Sequence, residues 1–263
     1  MTTSAPTAPM PVRSPLPSAL TGSTAVIVGG SSGIGLAAGV LLREVGARVV
    51  LVGRDRARLD NAVARVRGDG PAEAVLGVSA DGADEDALAE VFDRAGSVDH
   101  VLVTAGGLEG AGPVEQVSRD DLRPVLLTRI WGAFAVAKVA AGRLPAGGSI
   151  TLTSGNLAIR PAPNMSAPVV ATGAVETLTR TLAVEFAPRR LRVNTVRYGA
   201  FDTPLLRGGF GLGGDAAVAE VGAGLPLGRF GDAAEAGASA LFLMANNYMT
   251  GQVITVDGGQ SLV

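Results

Sequence analysis

The stretch GGSSGIG at residues 29–35 has the composition and spacing to do chemistry. Gly29, Gly33 and Gly35 permit a tight turn and let backbone approach a ligand, with Ser31, Ser32 and Ile34 between them. Where such a loop opens a helix, unpaired N–H groups and the helix dipole make a pyrophosphate site. Groups for acid–base work are scarcer. The chain has no cysteine and a single histidine, His100. Disulfides and thiolate metal sites are therefore excluded, and no metal centre or Ser-His-Asp triad is expected.

These residues need a frame to hold them. Val- and Ile-rich runs at 24–30, 48–53, 74–79, 100–107, 149–154, 192–196 and 252–259 read as strands. They show little alternation, as expected when helices cover both faces of a sheet. Helical patterns fall between them at 33–45, 55–67, 84–95, 119–142, 169–187 and 233–245. SRDD at 118–121 starts the fourth, with Ser118 as N-cap and Asp121 in the first turn. Repeated strand–helix–strand units predict an α/β fold: one Rossmann-type doubly wound parallel sheet of about seven strands, in a single domain over 21–263. The glycine loop follows the first strand directly. His100 falls at the start of the fourth strand, away from the carboxyl ends where such sheets bind ligands. The Gly-rich, apolar insertion near 205–225 breaks the rhythm and is expected to be a lid over a pocket.

Composition narrows the partners. A chain of 263 residues with 47% hydrophobic and 17% charged residues has enough apolar material for a sizeable core. A net charge of −2 gives no broad basic field for nucleic acid or anionic membrane. No apolar run is read as reaching the ~20 residues needed to span a bilayer. Residues 1–20, rich in Pro, Ser, Thr and Ala, lack the pattern of a secretory signal. They are expected to be a disordered leader, and the protein to be cytoplasmic.

From about Ser23 to its C-terminus the chain resembles the short-chain dehydrogenase/reductase family. Gly29, Gly33 and Gly35 match the family's glycine motif, and Asp81 in SADGAD its adenine-contacting acid. VTAGG (103–107), with Ala105 and Gly106, matches an Asn-Asn-Ala-Gly stretch in which Val103 and Thr104 replace the asparagines. RVNTVRYGAFDTPL (192–205), with Thr203, matches the segment passing the nicotinamide, and 226–259 the usual ending. At the end of the second strand Gly53 stands where an acid would bind the ribose of NAD. Arg54 follows, and a guanidinium pairs well with a phosphate. The cofactor expected is therefore NADP(H), although Asp55 is adjacent.

The resemblance also marks what differs. The family's catalytic tyrosine and lysine fall on Pro168 and Thr172, in SAPVVATGAVETLTRTLAVEFAP (166–188), and its asparagine on Arg129. Ser154 alone is retained. TRIWGAF, LTSGN and RPAPNMSAPVVA resemble a bacterial subgroup without the Tyr/Lys pair. The expectation is an atypical NADP(H)-dependent oxidoreductase acting on a small or medium apolar carbonyl or alcohol. Ser154 would hydrogen-bond a carbonyl oxygen, Arg129 would polarise it or hold a carboxylate, and the Tyr198 hydroxyl would reach the pocket. The alternatives are a catalytically impaired nucleotide-binding protein, redox-sensing or a partner subunit, and non-redox isomerase or dehydratase chemistry. The resemblance further implies a homo-oligomer, with a tetramer favoured.

Overall fold

In the computed structural model, which describes residues 13–209 and 211–263, the apolar runs form seven strands. These are β1 (Thr24–Val28), β2 (Arg48–Gly53), β3 (Val75–Ser79), β4 (His100–Val103), β5 (Ser149–Gly155), β6 (Arg192–Tyr198) and β7 (Val253–Val256). Between them come α1 (Gly33–Glu44), α2 (Arg56–Arg67), α3 (Glu85–Ala95), α4 (Arg119–Val125), α5 (Gly132–Ala141), α6 (Ser166–Glu185), α7 (Pro204–Gly209), α8 (Asp215–Ala223) and α9 (Ala233–Ala245).

The strands lie in the order β3-β2-β1-β4-β5-β6-β7, every neighbouring pair parallel. Strand alternation divides the core into two layers. Ala25 and Ile27 of β1 pack with Leu42 of α1, Leu59 of α2 and Met244 of α9. Val26 and Val28 face the other way, towards Leu88 and Phe92 of α3, Val136 of α5 and Val175 of α6. This is the doubly wound fold expected from the sequence, as a single α/β domain.

Three expectations need adjustment. Residues 1–12 of the predicted leader lie outside the described residues, but its last part is ordered structure. Pro17–Leu20 forms a 3₁₀ turn, and Leu20 is 2% exposed within the α1/α2/α9 layer. The predicted helix 119–142 is three pieces. Ser118 and Asp121 form the expected capping box, but Pro124 sits inside α4 and a π-helical turn, Leu126–Trp131, joins it to α5. A proline cannot donate to the preceding turn, and π turns recur at functional sites. The stretch Arg119–Ala141 is also long and apolar enough, by length and composition, to cross a membrane, contrary to the sequence reading. Half of its apolar window is buried here, with Ala133, Val136 and Ala140 in the core.

Candidate functional site

β1 and β4 are neighbours, but the chain leaves them towards opposite layers, which opens a crevice at their carboxyl ends. A cavity of about 610 Å³ occupies it. The glycine loop forms its floor. Gly29 has φ +92°, and a Cβ there would lie 2.7 Å from both the Ala105 amide nitrogen and Thr104 Oγ1. Thr104 Oγ1 donates to the Gly29 carbonyl at 3.1 Å, tying the end of β4 to the loop. Gly33 has φ +51° and faces the start of α7 closely, an added Cβ meeting Thr203 Cβ at 3.6 Å and Pro204 Cδ at 3.9 Å. Ser32 makes no side-chain cap to α1, so the first amides of that helix are left for a ligand. A glycine loop lining the cavity at an uncapped helix start fits the pyrophosphate of a dinucleotide.

Ser31, Ile34, Arg54, Asp81, Ala105 and Gly106 line the same cavity. Gly53 faces Ser31, an added Cβ lying 3.0 Å from Ser31 Oγ. Asp55 is occupied as the N-cap of α2, accepting from the Arg58 amide at 2.9 Å. Arg58, which the sequence reading did not single out, joins Arg54 in the cavity wall. Asp81 is exposed and accepts from the Ala83 amide at 3.0 Å.

At the other end of the cavity lies Arg129, carried on the π-helical turn. Its guanidinium covers Gly106, where a Cβ would lie 2.7 Å from Cζ. Nε and Nη2 donate to the Gly107 carbonyl at 3.3 and 3.1 Å. Burial pulls its pKa down, against the opposing field of Glu109, an exposed carboxylate in the same wall. Among the described residues it forms no ion pair closer than 4.0 Å.

Ser154, at the end of β5, is 5% exposed. Its hydroxyl donates to Glu176 Oε1 at 2.7 Å, with the Thr172 carbonyl 3.5 Å away. Its proton therefore points to α6, which corrects the expectation of a donor aimed at a carbonyl oxygen. Glu176 in turn takes a bidentate contact from Arg197, at 2.8 Å from Nε and 2.6 Å from Nη2. Burial opposes ionisation of Glu176, but the bonds from Arg197 and Ser154 prevail and hold its carboxyl below the usual range. The signal for this cluster was in the sequence: Glu176 follows Pro168 and Thr172 at successive four-residue steps, and Arg197 is the register partner of Ser154.

Tyr198 is also corrected. Its hydroxyl donates to the Ala236 carbonyl at 2.8 Å and lies 3.2 Å from Ser239 Oγ, both on α9. Its ring packs edge-on against Phe201, and burial raises its pKa. The residue contributes to the cavity wall, but its hydroxyl is bound to α9 rather than offered to a substrate. The chain's other tyrosine, Tyr248, is fully exposed on the loop after α9. Its one lysine, Lys138, pairs with Glu85. His100, 7% exposed, bonds Ser149 at the far end of the sheet. Pro168 and Thr172 both line the cavity, and Thr172 Oγ1 bonds the Val169 carbonyl within α6.

The insertion near 205–225 folds as α7 and α8. Leu205 and Leu206 enter the cavity wall, and a Cβ on Gly209 would lie 2.7 Å from Leu108 Cδ1, so α7 closes one side. Arg207 holds it by ion pairs to Asp202 at 2.6 Å and Asp215 at 2.8 Å.

The profile of a family described as enoyl-(acyl carrier protein) reductase matches residues 28–261. The chain is 33% identical to carbonyl reductase family member 4 of Danio rerio, over 91% of this chain and 98% of that one. It is 35% identical to the cis-4-hydroxycyclohexanecarboxylate dehydrogenase of Sinomonas cyclohexanicum, over 91% and 96%. Among solved structures, the reductase/Diels–Alderase MalC from Malbranchea aurantiaca superposes with a TM-score of 0.84 at 30% identity, over 93% and 98%. With the glycine cradle, the strand order and these likenesses together, the chain belongs to the short-chain dehydrogenase/reductase family of oxidoreductases.

Proposed function

We propose that this chain is an NADP(H)-dependent oxidoreductase acting on a small or medium, largely apolar carbonyl or alcohol. The observation that carries the reading is the glycine loop at an uncapped helix start, in a cavity whose wall also carries Arg54 and Arg58. The nicotinamide coenzymes used by the family supply the hydride when bound. In this reading the α1 amides hold the pyrophosphate, and Arg54 and Arg58 meet a 2′-phosphate, with Asp55 occupied by capping. Ser154 and Arg129 orient the substrate, and α7 restricts water.

The Tyr198 hydroxyl, the lysine and the histidine are bound elsewhere and Tyr248 is exposed on a loop, so a free cavity-lining acid of the usual kind is lacking among the described residues. A positioned acid contributes about 10²–10⁴-fold, whereas proximity contributes up to about 7–11 kcal/mol. Hydride transfer driven by positioning therefore remains feasible without one. The same lack favours a second reading, in which the pocket binds nucleotide as a sensor or partner subunit, or promotes isomerisation or dehydration. Following NADPH absorbance against a carbonyl panel separates them. Consumption with product formation supports the oxidoreductase, and tight binding without consumption supports the second reading. We also read the chain as a cytoplasmic homotetramer.

A further inference from the structure

We propose that the cavity is built for a hydroxycarboxylate: an apolar body whose hydroxyl donates to Ser154 and whose carboxylate pairs with Arg129. This rests on the oxidoreductase reading and names its substrate class.

Hydrogen-bond polarity fixes the first half. Ser154 has one proton, and both protein acceptors near it, Glu176 Oε1 and the Thr172 carbonyl, are on α6. Glu176 is held as a carboxylate by Arg197, so it has no proton to give. Arg197 is itself anchored to Thr255 Oγ1 at 2.9 Å. The rotor is thus set, and Ser154 offers the cavity lone pairs. The matching group is an O–H donor, which a ketone lacks and an alcohol has.

Charge fixes the second half. The Arg129 guanidinium is half-buried, its bonds go to a single neutral carbonyl, and Glu109 in the same wall acts on it only from beyond ion-pair distance. A desolvated cation without a paired anion is costly, and a planar fork suits a carboxylate. Leu108, Leu157, Pro168 and Leu205 supply apolar wall for the body between the two anchors.

In oxidation the substrate C–H hydride passes to NADP⁺ while the O–H electron pair forms the carbonyl π bond. The O–H proton moves to Ser154 Oγ as the proton of Ser154 moves to Glu176 and on to water. The products are the oxo acid, NADPH and one proton. Glu176 acts as a positioning residue through Ser154.

The test uses full-length protein loaded with NADPH and titrated calorimetrically with 4-hydroxycyclohexanecarboxylate, cyclohexanecarboxylate and cyclohexanol. NADP⁺ reduction is followed with the two alcohols. The hydroxy acid is expected to bind tightest and be oxidised best. Arg129→Gln should weaken both carboxylates about 10–100-fold, the loss of a charge-assisted bond. Glu176→Gln should lower kcat for the hydroxy acid while its KM holds. Should the Arg129→Gln variant not fold, Arg129→Lys, which keeps the charge but not the planar fork, should weaken both carboxylates in the same direction. Cyclohexanol binding as tightly as the hydroxy acid overturns the inference, as does carboxylate affinity insensitive to Arg129→Gln or, where that variant does not fold, to Arg129→Lys. If either alcohol still reduces NADP⁺ in that case, the oxidoreductase reading stands; if neither is turned over, both fall.

Discussion

The Ser154 hydroxyl donates to the Glu176 carboxylate at 2.7 Å, and the same carboxylate is gripped by both arms of Arg197. The Arg197 and Glu176 side chains are 12% and 8% exposed. Removing one partner of such a buried pair strands the other charge, which costs about 3–5 kcal/mol. Glu176→Ala should therefore lower the urea-unfolding free energy by about 3 kcal/mol, while Ser154→Ala, which leaves the ion pair intact, should cost about 1 kcal/mol. Equal losses from the two would mean that the pair contributes little.

Arg54→Ala should reduce the preference for NADPH over NADH by about tenfold, as expected for one charge-assisted contact in a solvated wall. The double change with Arg58→Ala should nearly abolish it. Because Asp55 caps α2 through the Arg58 amide, Asp55→Ala should cost about 1 kcal/mol of stability with the preference kept. A preference unchanged in the double variant would place the 2′-phosphate elsewhere.

Gly33→Val should abolish nucleotide binding, since the side chain would press against Thr203 and Pro204 across the loop and β-branched residues resist φ near +51°. Thr172→Ala removes a bond made only within α6 and should leave NADPH affinity almost unchanged. Fluorescence titration of both variants checks this; a large loss with Thr172→Ala would show that the hydroxyl meets the cofactor.

His100 gives the fold a pH dependence. Burial, then the charges of Arg192 and Arg13, push its pKa from 6.5 down to about 3. Below about pH 6.5 the unfolded chain takes up a proton that the folded chain refuses. Stability is thus fully present above pH 6.5 and falls as pH drops towards 3, with a slope up to about 1.4 kcal/mol per pH unit. His100→Gln should flatten this part of the unfolding profile, and an unchanged slope would contradict the assignment.

Leu127, Trp131 and Phe134 are exposed by 47%, 44% and 46% along the stretch containing α5, and Val170 of α6 by 60%. Exposed apolar side chains in such numbers suit an interface between copies. Light scattering should give a multimeric mass, a tetramer favoured, and Phe134→Glu should reduce it. A monomer at micromolar concentration would remove this proposal.

The sheet was legible because buried parallel strands must be continuous apolar runs: all seven predicted strands are found, several with shortened ends. The glycine loop was equally clear, since its glycines have few other uses after a first strand. Side-chain direction was not. The hydroxyl of Tyr198 lies at the expected end of β6 but points to α9, where Ala236 and Ser239 satisfy it. Ser154 is legible in the sequence but the direction of its proton is not, because Glu176 is distant in sequence and reaches it only through the helix face set by four-residue spacing. The break at 126–131 depends on Pro124 and on packing that composition does not encode.

The central claim is a working site for NADP(H). Titrating the unmodified protein with NADPH and NADH, and following the coenzyme fluorescence, tests it most directly. Saturable binding of NADPH about tenfold or more tighter than NADH is the predicted result. Equal affinities, tighter binding of NADH, or no binding of either would contradict it.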